Sequence, residues 1–414
     1  MRKSWFWLLL YVLSLCVWLS QTTMGMLAAY VGSEAEDSTV NLVALRVAIN
    51  CTDRVPKYEK IRHSNHWALV NYVPANHGSV RCSTSVSYTT HGDYRYLDNV
   101  APLVERWQAP ISLAIYAPGT DFEETVNSIM WLRQCAPERE LIKQWVTFHI
   151  YFPVDHVPDR VYAQSSLSNM KLKCSKLAPF VGVSKAALYR TQQQLDYPIN
   201  MGRNIAKQAA LTHYILASDI ELYPTPGLVD GFLKMLSTNI HLARSNASVF
   251  PLNIFEVEAN ATVPSTKNEL MILLATGKAI PFHTYVCPRC NTAPDLPEWM
   301  RQSDGSTTIK VFSSSKRSSY WDPIYIGTIH DPPYDERLNW EGMSDKMIQS
   351  FALCLMGYSF NTLDNAFLVH KPGINRGHTD HARLRFAARI NQLIRNRFTV
   401  EYLQKYGYHF GCTL

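Results

Sequence analysis

The sequence predicts an α/β fold, a mixed and largely parallel sheet flanked by helices, set behind one N-terminal apolar segment. Three observations carry that expectation. Residues 111–116 form a near-continuous apolar run, the pattern of a strand covered on both faces. A Pro118-Gly119 turn, an amphipathic stretch over 122–135 and a second apolar run over 145–152 follow, which together read as strand, helix, strand. Residues 214–217 form a third buried strand, and it ends abruptly in two carboxylates, Asp219 and Glu221.

In chain order, residues 1–4 hold Arg2 and Lys3, residues 5–31 are uncharged and mostly apolar, and residues 32–39 form a short, small and acidic stem. A basic end before an apolar stretch long enough to span a thin bilayer predicts a signal anchor, with the N-terminus cytoplasmic and the remainder outside the cytosol. Thr23 and Gly25 are small enough to flank a cleavage site, so a cleaved signal is the alternative. Residues 40–414 then read as one large α/β domain. Within it, 43–49 and 67–73 have strand character, the 196–211 segment is helical after Pro198, and 227–236 is the helix leaving the acidic pair. Residues 249–252 are an apolar run, 267–276 reads as an amphipathic helix and 301–319 as a polar connection. A helix over 341–356, a last core strand over 366–369 and a basic tail helix over 383–397 close the chain.

Composition narrows the class. With 47% hydrophobic and 18% charged residues the chain matches an ordinary globular enzyme. Its net charge of +6 is diffuse, and the densest basic run is interleaved with Phe386, Ile390, Leu393 and Ile394 at helical spacing, which argues for an amphipathic helix over a nucleic-acid arm. Asn50, Asn246 and Asn260 each head an N-glycosylation sequon, usable only in a secretory compartment. Of nine cysteines, Cys16 lies in the apolar segment, and the other eight permit up to four bridges in an oxidising lumen. Cys287 and Cys290 have the spacing of half a zinc site, but no matching Cys/His pair accompanies them, so a disulfide is expected.

Two acids at the carboxyl end of a central strand need a cationic partner, and in open α/β sheets that crevice is where ligands bind. A few hard oxygen ligands suit Mn²⁺ or Mg²⁺ carrying a diphosphate. Asp219 and Glu221 are the first two candidate metal ligands, and His370, delivered into a Pro372-Gly373 turn, is the third. An imidazole ligand favours Mn²⁺ over Mg²⁺. Lys371 beside it, and Asn200 and Arg203 on the preceding helix, are candidate donor contacts. Asp335 and Glu336, with Glu341 next, are candidate general bases, and Tyr334 and Trp340 candidate platforms for sugar faces. Each residue alone has a plainer reading: a solvated lysine, a packed histidine, acids at a helix start.

Together the motifs resemble glycosyltransferase family 49. They are N-x-x-R-N-x-A at 200–206, S-D-I-E-x-x-P-x-x-G-L at 218–228, C-P-x-C at 287–290, W-D-P-x-Y at 321–325, Y-D-E-R at 334–337 and N-x-F-L-V-H-K at 365–371. The resemblance implies a GT-A fold, a single-pass type II Golgi membrane protein, a UDP-glucuronate donor, Mn²⁺ and inversion at the anomeric carbon. It also implies a xylose-type acceptor on a glycoprotein glycan of the O-mannosyl pathway. On it, Asp219 and Glu221 face the metal and diphosphate, His370 completes the metal site and Arg203 contacts the donor. Two departures stand out. Glu221 replaces the usual aspartate, and residues 339–346 replace a Gly/aromatic segment with Asn beside the acceptor pocket, which leaves acceptor and linkage open. Two other readings fit the same residues: the same fold with another donor such as UDP-xylose or UDP-N-acetylglucosamine, and a catalytically silent lectin-like or chaperone-like homologue.

Overall fold

The apolar runs form the middle of the sheet. β4 (Ile111–Tyr116) and β5 (Val146–Pro153) are buried at every position and pair in parallel, Ile111 against Val146, with the helix Asp121–Gln134 between them. β3 (Val86–Gly92) lies parallel to β4 on its other side, and β6 (Tyr214–Ala217) parallel to β3. These four strands therefore end at the same edge, and the acidic pair leaves that edge directly after β6. β2 (His66–Val73) and β1 (Glu59–His63) extend one side antiparallel. On the other side β11 (Ile324–Thr328) runs antiparallel to β6 and to β8 (Ser248–Val257). β12 (Ser359–Asp364) and the edge strand β10 (Lys310–Ser315) complete the order β1-β2-β5-β4-β3-β6-β11-β8-β12-β10. The far half of β8 pairs with β13 (Phe367–His370) and β9 (Ala279–Pro281), and β13 pairs antiparallel with β7 (Leu222–Pro224).

This is a computed structural model that describes residues 42–414, apart from 175–176, 289, 291, 303–304, 317–320 and 378–380. The expected tail, anchor and stem lie outside the described residues, and among those residues no helix is long and apolar enough to cross a membrane. Residues 42–414 form one compact unit. The mixed α/β architecture with a parallel centre is the one the sequence predicts.

Three expectations need correction, and one strand, β3, carries no expectation at all. Residues 43–49 are part of a helix, Leu42–Ile49, whose Leu45 and Ile49 point inward while Val43 and Val47 are exposed. A strand would turn Val47 to the same side as Leu45 and Ile49, whereas a helix buries those two and exposes Val47. β3 has no apolar run, because Ser87, Thr89, Thr90 and His91 alternate through it, yet all of it is buried. Residues 310–315 of the polar connection form the edge strand β10, where a polar sequence suits a half-solvated position. The helix expected from 341 begins only at Met347, after a 3₁₀ turn at Trp340–Gly342 and a left-handed Met343 (φ 64°).

The eight cysteines pair as Cys51–Cys82, Cys135–Cys174, Cys287–Cys290 and Cys354–Cys412. The expected Cys287–Cys290 disulfide is present, and Cys354–Cys412 ties the chain end to the helix Met347–Leu355. All three sequon asparagines are exposed.

Candidate functional site

Asp219 and Glu221 sit on the turn joining β6 to β7. Ile220 between them is buried and anchors the turn. The Tyr88 hydroxyl on β3 lies 2.9 Å from the Asp219 carbonyl and 2.7 Å from that of Leu222, clamping the turn across its mouth.

The Asp219 carboxylate meets three cationic or donor groups. Arg203 Nη2 donates to Oδ1 at 2.9 Å, His91 Nε2 lies 3.4 Å from the same oxygen, and Lys346 Nζ is 3.8 Å from Oδ2. Burial alone would raise this carboxyl, but Lys346, Arg203 and His91 hold it well below the usual carboxylate range. One edge remains open, since the side chain is 34% exposed. Burial lowers the His91 pKa, so its imidazole is neutral at pH 7, with Nδ1 2.9 Å from the Tyr197 hydroxyl.

Arg203 comes from the helix Ile199–Ala209, which is buried from Ile199 through Lys207. Its guanidinium also donates to Asn200 Oδ1 at 2.9 Å and to the Asp345 carboxylate, and it lies over the Tyr334 ring at 5.3 Å. Asn200 is fully buried and donates to the carbonyls of Asp335 and Asp345, both at 2.8 Å. Asn204 donates to the Tyr334 carbonyl and Glu336, and Lys207 to the Asp331 carbonyl. The N-x-x-R-N motif therefore fastens the 331–345 segment to the helix, and Asn200, expected as a donor contact, is enclosed away from any ligand. The helix can press this close because of Gly202, where a Cβ would stand 2.6 Å from the Tyr151 hydroxyl and 3.0 Å from His91 Cβ. Gly202→Ala is expected to cost about 1–3 kcal/mol in denaturant unfolding and to lower activity by displacing His91 or the Arg203 helix. Unchanged stability and turnover would contradict this packing account.

Glu221 and His370 are brought together by the β7–β13 pair, in which His370 lies opposite Leu222 and the Lys371 amide donates to the Glu221 carbonyl at 2.8 Å. Burial raises the Glu221 pKa, against the pull of His370 and Lys371. The His370 ring lies against Phe282 at 5.6 Å, and its Nδ1 is 2.9 Å from the Lys371 carbonyl. A carbonyl only accepts, so Nδ1 carries the proton and Nε2 keeps the lone pair a metal needs. In kind, two carboxylates and this imidazole suit Mn²⁺. In arrangement they are not closed: among the described residues no three His, Cys, Asp or Glu side chains are grouped to hold a metal ion. Asp219 is turned toward Arg203 and Lys346 instead. Lys371, expected at the diphosphate, pairs with Asp98.

Two residues that sequence reasoning missed complete the rim. His283 adopts φ 58°, its amide donates to buried Glu256 at 3.0 Å, and its ring stacks on Phe282 at 3.7 Å. Burial lowers its pKa to about 4, with Lys346 and His370 adding to the effect and Asp219 opposing it. Lys346 is the other. His91 and His283 carry no sequence signal, because only the fold brings them to Asp219.

The candidate bases separate clearly. Asp335 is 9% exposed and gripped at both oxygens by Arg337, at 2.9 and 2.6 Å. Both Glu336 oxygens lie within 2.9 Å of His63 Nε2, and Oε1 also accepts from Asn204 at 2.8 Å. Glu341 accepts from the Tyr197 amide at 3.1 Å, its other oxygen lies 4.0 Å from Arg190, and burial raises its pKa. Tyr334 is buried beneath Arg203 and offers no sugar platform, and the Trp340 ring is covered by Arg383 at 3.7 Å and Lys185 at 5.4 Å.

The sequence profile of Glyco_transf_49, described as "Glycosyl-transferase for dystroglycan", matches residues 85–407 and so takes in every one of these groups except His63. The chain belongs to this glycosyltransferase family. Its Glyco_transf_49 relatives include "Beta-1,4-glucuronyltransferase 1" of Danio rerio, 28% identical over 78% of this chain and 74% of that protein. The Mus musculus protein of that name is 26% identical over 78% of this chain and 76% of its own length. "Xylosyl- and glucuronyltransferase LARGE1" of Homo sapiens is 20% identical over 82% of this chain and 38% of that protein. A solved GalNAc-T7 structure with UDP, GalNAc and Mn²⁺ aligns over 81% of this chain and 54% of that one, at a TM-score of 0.40 and 9% identity.

Proposed function

We propose that this chain is an inverting, metal-assisted GT-A transferase that moves glucuronate from UDP-glucuronate to a xylose-type hydroxyl on a glycoprotein glycan. The observation that carries the reading is the acidic turn. In a chain of this family, Asp219 and Glu221 leave the carboxyl edge of the parallel strands with His370 paired beside them. The names of the relatives support the donor and acceptor class. Four disulfides, three exposed sequons and the apolar 5–31 segment support a membrane-anchored enzyme facing the Golgi lumen.

Asp219, Glu221 and His370 would hold the cation. When bound, Mn²⁺ neutralises charge gathering on the departing UDP. Arg203 fixes Asp219, and the clamp from Tyr88 fixes the turn. Glu341 is the general base: burial raises its pKa, and one of its oxygens has a long ionic contact to Arg190. It takes the acceptor hydroxyl proton as that oxygen bonds to the anomeric carbon. The carbon–oxygen bond to UDP breaks on the opposite face, and UDP leaves with the electron pair.

The test is UDP release from a panel of UDP-sugars with a β-xyloside acceptor, with and without Mn²⁺. Glucuronate transfer that requires Mn²⁺ supports the proposal. Release from a neutral UDP-sugar alone overturns the donor, and UDP binding without release favours a silent homologue.

A further inference from the structure

We infer that Lys346 is the cation that receives the carboxylate of the donor's uronic acid, and so sets the choice of an acidic over a neutral sugar; this rests on the donor reading above. Its side chain is only 19% exposed, and its ammonium, with three N–H donors, makes no hydrogen bond to another described residue. Among the described residues its salt-bridge partner is Asp219, whose Oδ2 lies 3.8 Å away, and its charge also acts on the Asp345 carboxylate.

Among the described cations nearby, three are engaged by carboxylates, whereas the buried Arg190 Nε makes no hydrogen bond. Arg203 is held by Asp219, Asp345 and Asn200, Lys371 by Asp98, and Arg337 by Asp335 and Glu401. Arg190 lies 3.5 Å from Asp93.

The position of Lys346 is built by its backbone. The left-handed Met343 breaks the chain ahead of the helix, and Ser344 Oγ bonds Asn391 at 2.6 Å. The Asp345 carbonyl accepts from Asn200, and the Lys346 carbonyl accepts the Gln349 and Ser350 amides at 3.1 and 3.2 Å. The ammonium thus projects from the segment that carries Glu341 to the acid of the diphosphate turn. A sugar in transit lies between those two places, with its leaving group at one end and the acceptor at the other. A carboxylate on that sugar would supply the hydrogen-bonding partner that Asp219, at 3.8 Å, does not.

The test compares wild type with Lys346→Met, which keeps length without charge, Lys346→Gln as a second uncharged variant, and Lys346→Arg. Three quantities are measured: kcat/KM for UDP-glucuronate, kcat/KM for UDP-glucose, in which a neutral hydroxymethyl replaces the carboxylate, and Kd for UDP alone. Lys346→Met is expected to lose about 100-fold with UDP-glucuronate and clearly less with UDP-glucose and with UDP, so that the preference for the acidic sugar collapses, and Lys346→Arg to recover part of the loss. Equal losses for all three ligands, or unchanged selectivity in a folded uncharged variant, would overturn the assignment while leaving the donor reading intact. A wild-type enzyme that prefers UDP-glucose would overturn the donor reading and this assignment with it.

Discussion

Asp219→Asn should reduce sugar transfer by about three orders of magnitude, equivalent to about 4 kcal/mol of transition-state stabilisation, with little loss of fold. The substitution keeps the shape and one oxygen acceptor and removes the charge. In the native chain that charge faces Arg203, His91 and Lys346, and it is held ionised far into the acid range. Arg203 keeps Asp345 as a counter-charge in the variant, so its buried guanidinium is not left unpaired. Initial rates and melting curves of the same preparation check both halves of the statement. A variant that turns over within tenfold of wild type would remove Asp219 from the site, and one that unfolds would recast it as a structural ion pair.

The second large effect is on stability. Arg203 is 2% exposed and joins two carboxylates, an amide oxygen and an aromatic face. Lysine has neither the reach nor the planar fork to meet both acids. Arg203→Lys is therefore expected to destabilise the protein by about 3–5 kcal/mol, read from denaturant unfolding.

The pH dependence carries a signature of the same pair. Burial raises the Asp345 carboxyl, but Arg203 and Lys346 more than offset this and hold it below its usual range, as Lys346 and Arg203 hold Asp219. Groups depressed in the folded state contribute stability above the unfolded carboxylate pKa, near 4, and that contribution is lost as pH falls toward the folded value. Wild type should thus lose stability below about pH 4 more steeply than Arg203→Lys. Buried histidines act in a separate window. Burial lowers His149 to about 3 and His283 to about 4, so the unfolded chain takes up protons first, below about 6.5. Both proteins should weaken in parallel between pH 6.5 and 4. Parallel behaviour below pH 4 as well would contradict the Arg203 account.

The sheet centre was legible because apolar runs such as Ile111–Tyr116 and the 145–152 run can only be covered strands at that length, and the turn after β6 because two acids interrupt such a run. β3 was not legible, since a buried strand built from Ser, Thr and His, with its Ser87 hydroxyl bonded to Thr212, looks like a loop in sequence. His91 at its end was lost with it. Asn200 and Arg203 stood out as a motif, but their spacing could not show that the motif faces inward to hold residues 331–345. The left-handed Met343 hid Lys346, because apolar periodicity runs through a break that only φ reveals. Helix 42–49 was misread because β-branched residues at four-residue spacing satisfy both patterns over so short a segment.

Anomalous diffraction at the manganese edge, from crystals grown with UDP and Mn²⁺, puts the nucleotide-sugar site to the most direct trial. A single peak within bonding distance of Asp219, Glu221 and His370, with UDP phosphate oxygens completing the shell, is the expected result. UDP bound with no manganese beside those three side chains, or manganese elsewhere on the protein, would contradict it.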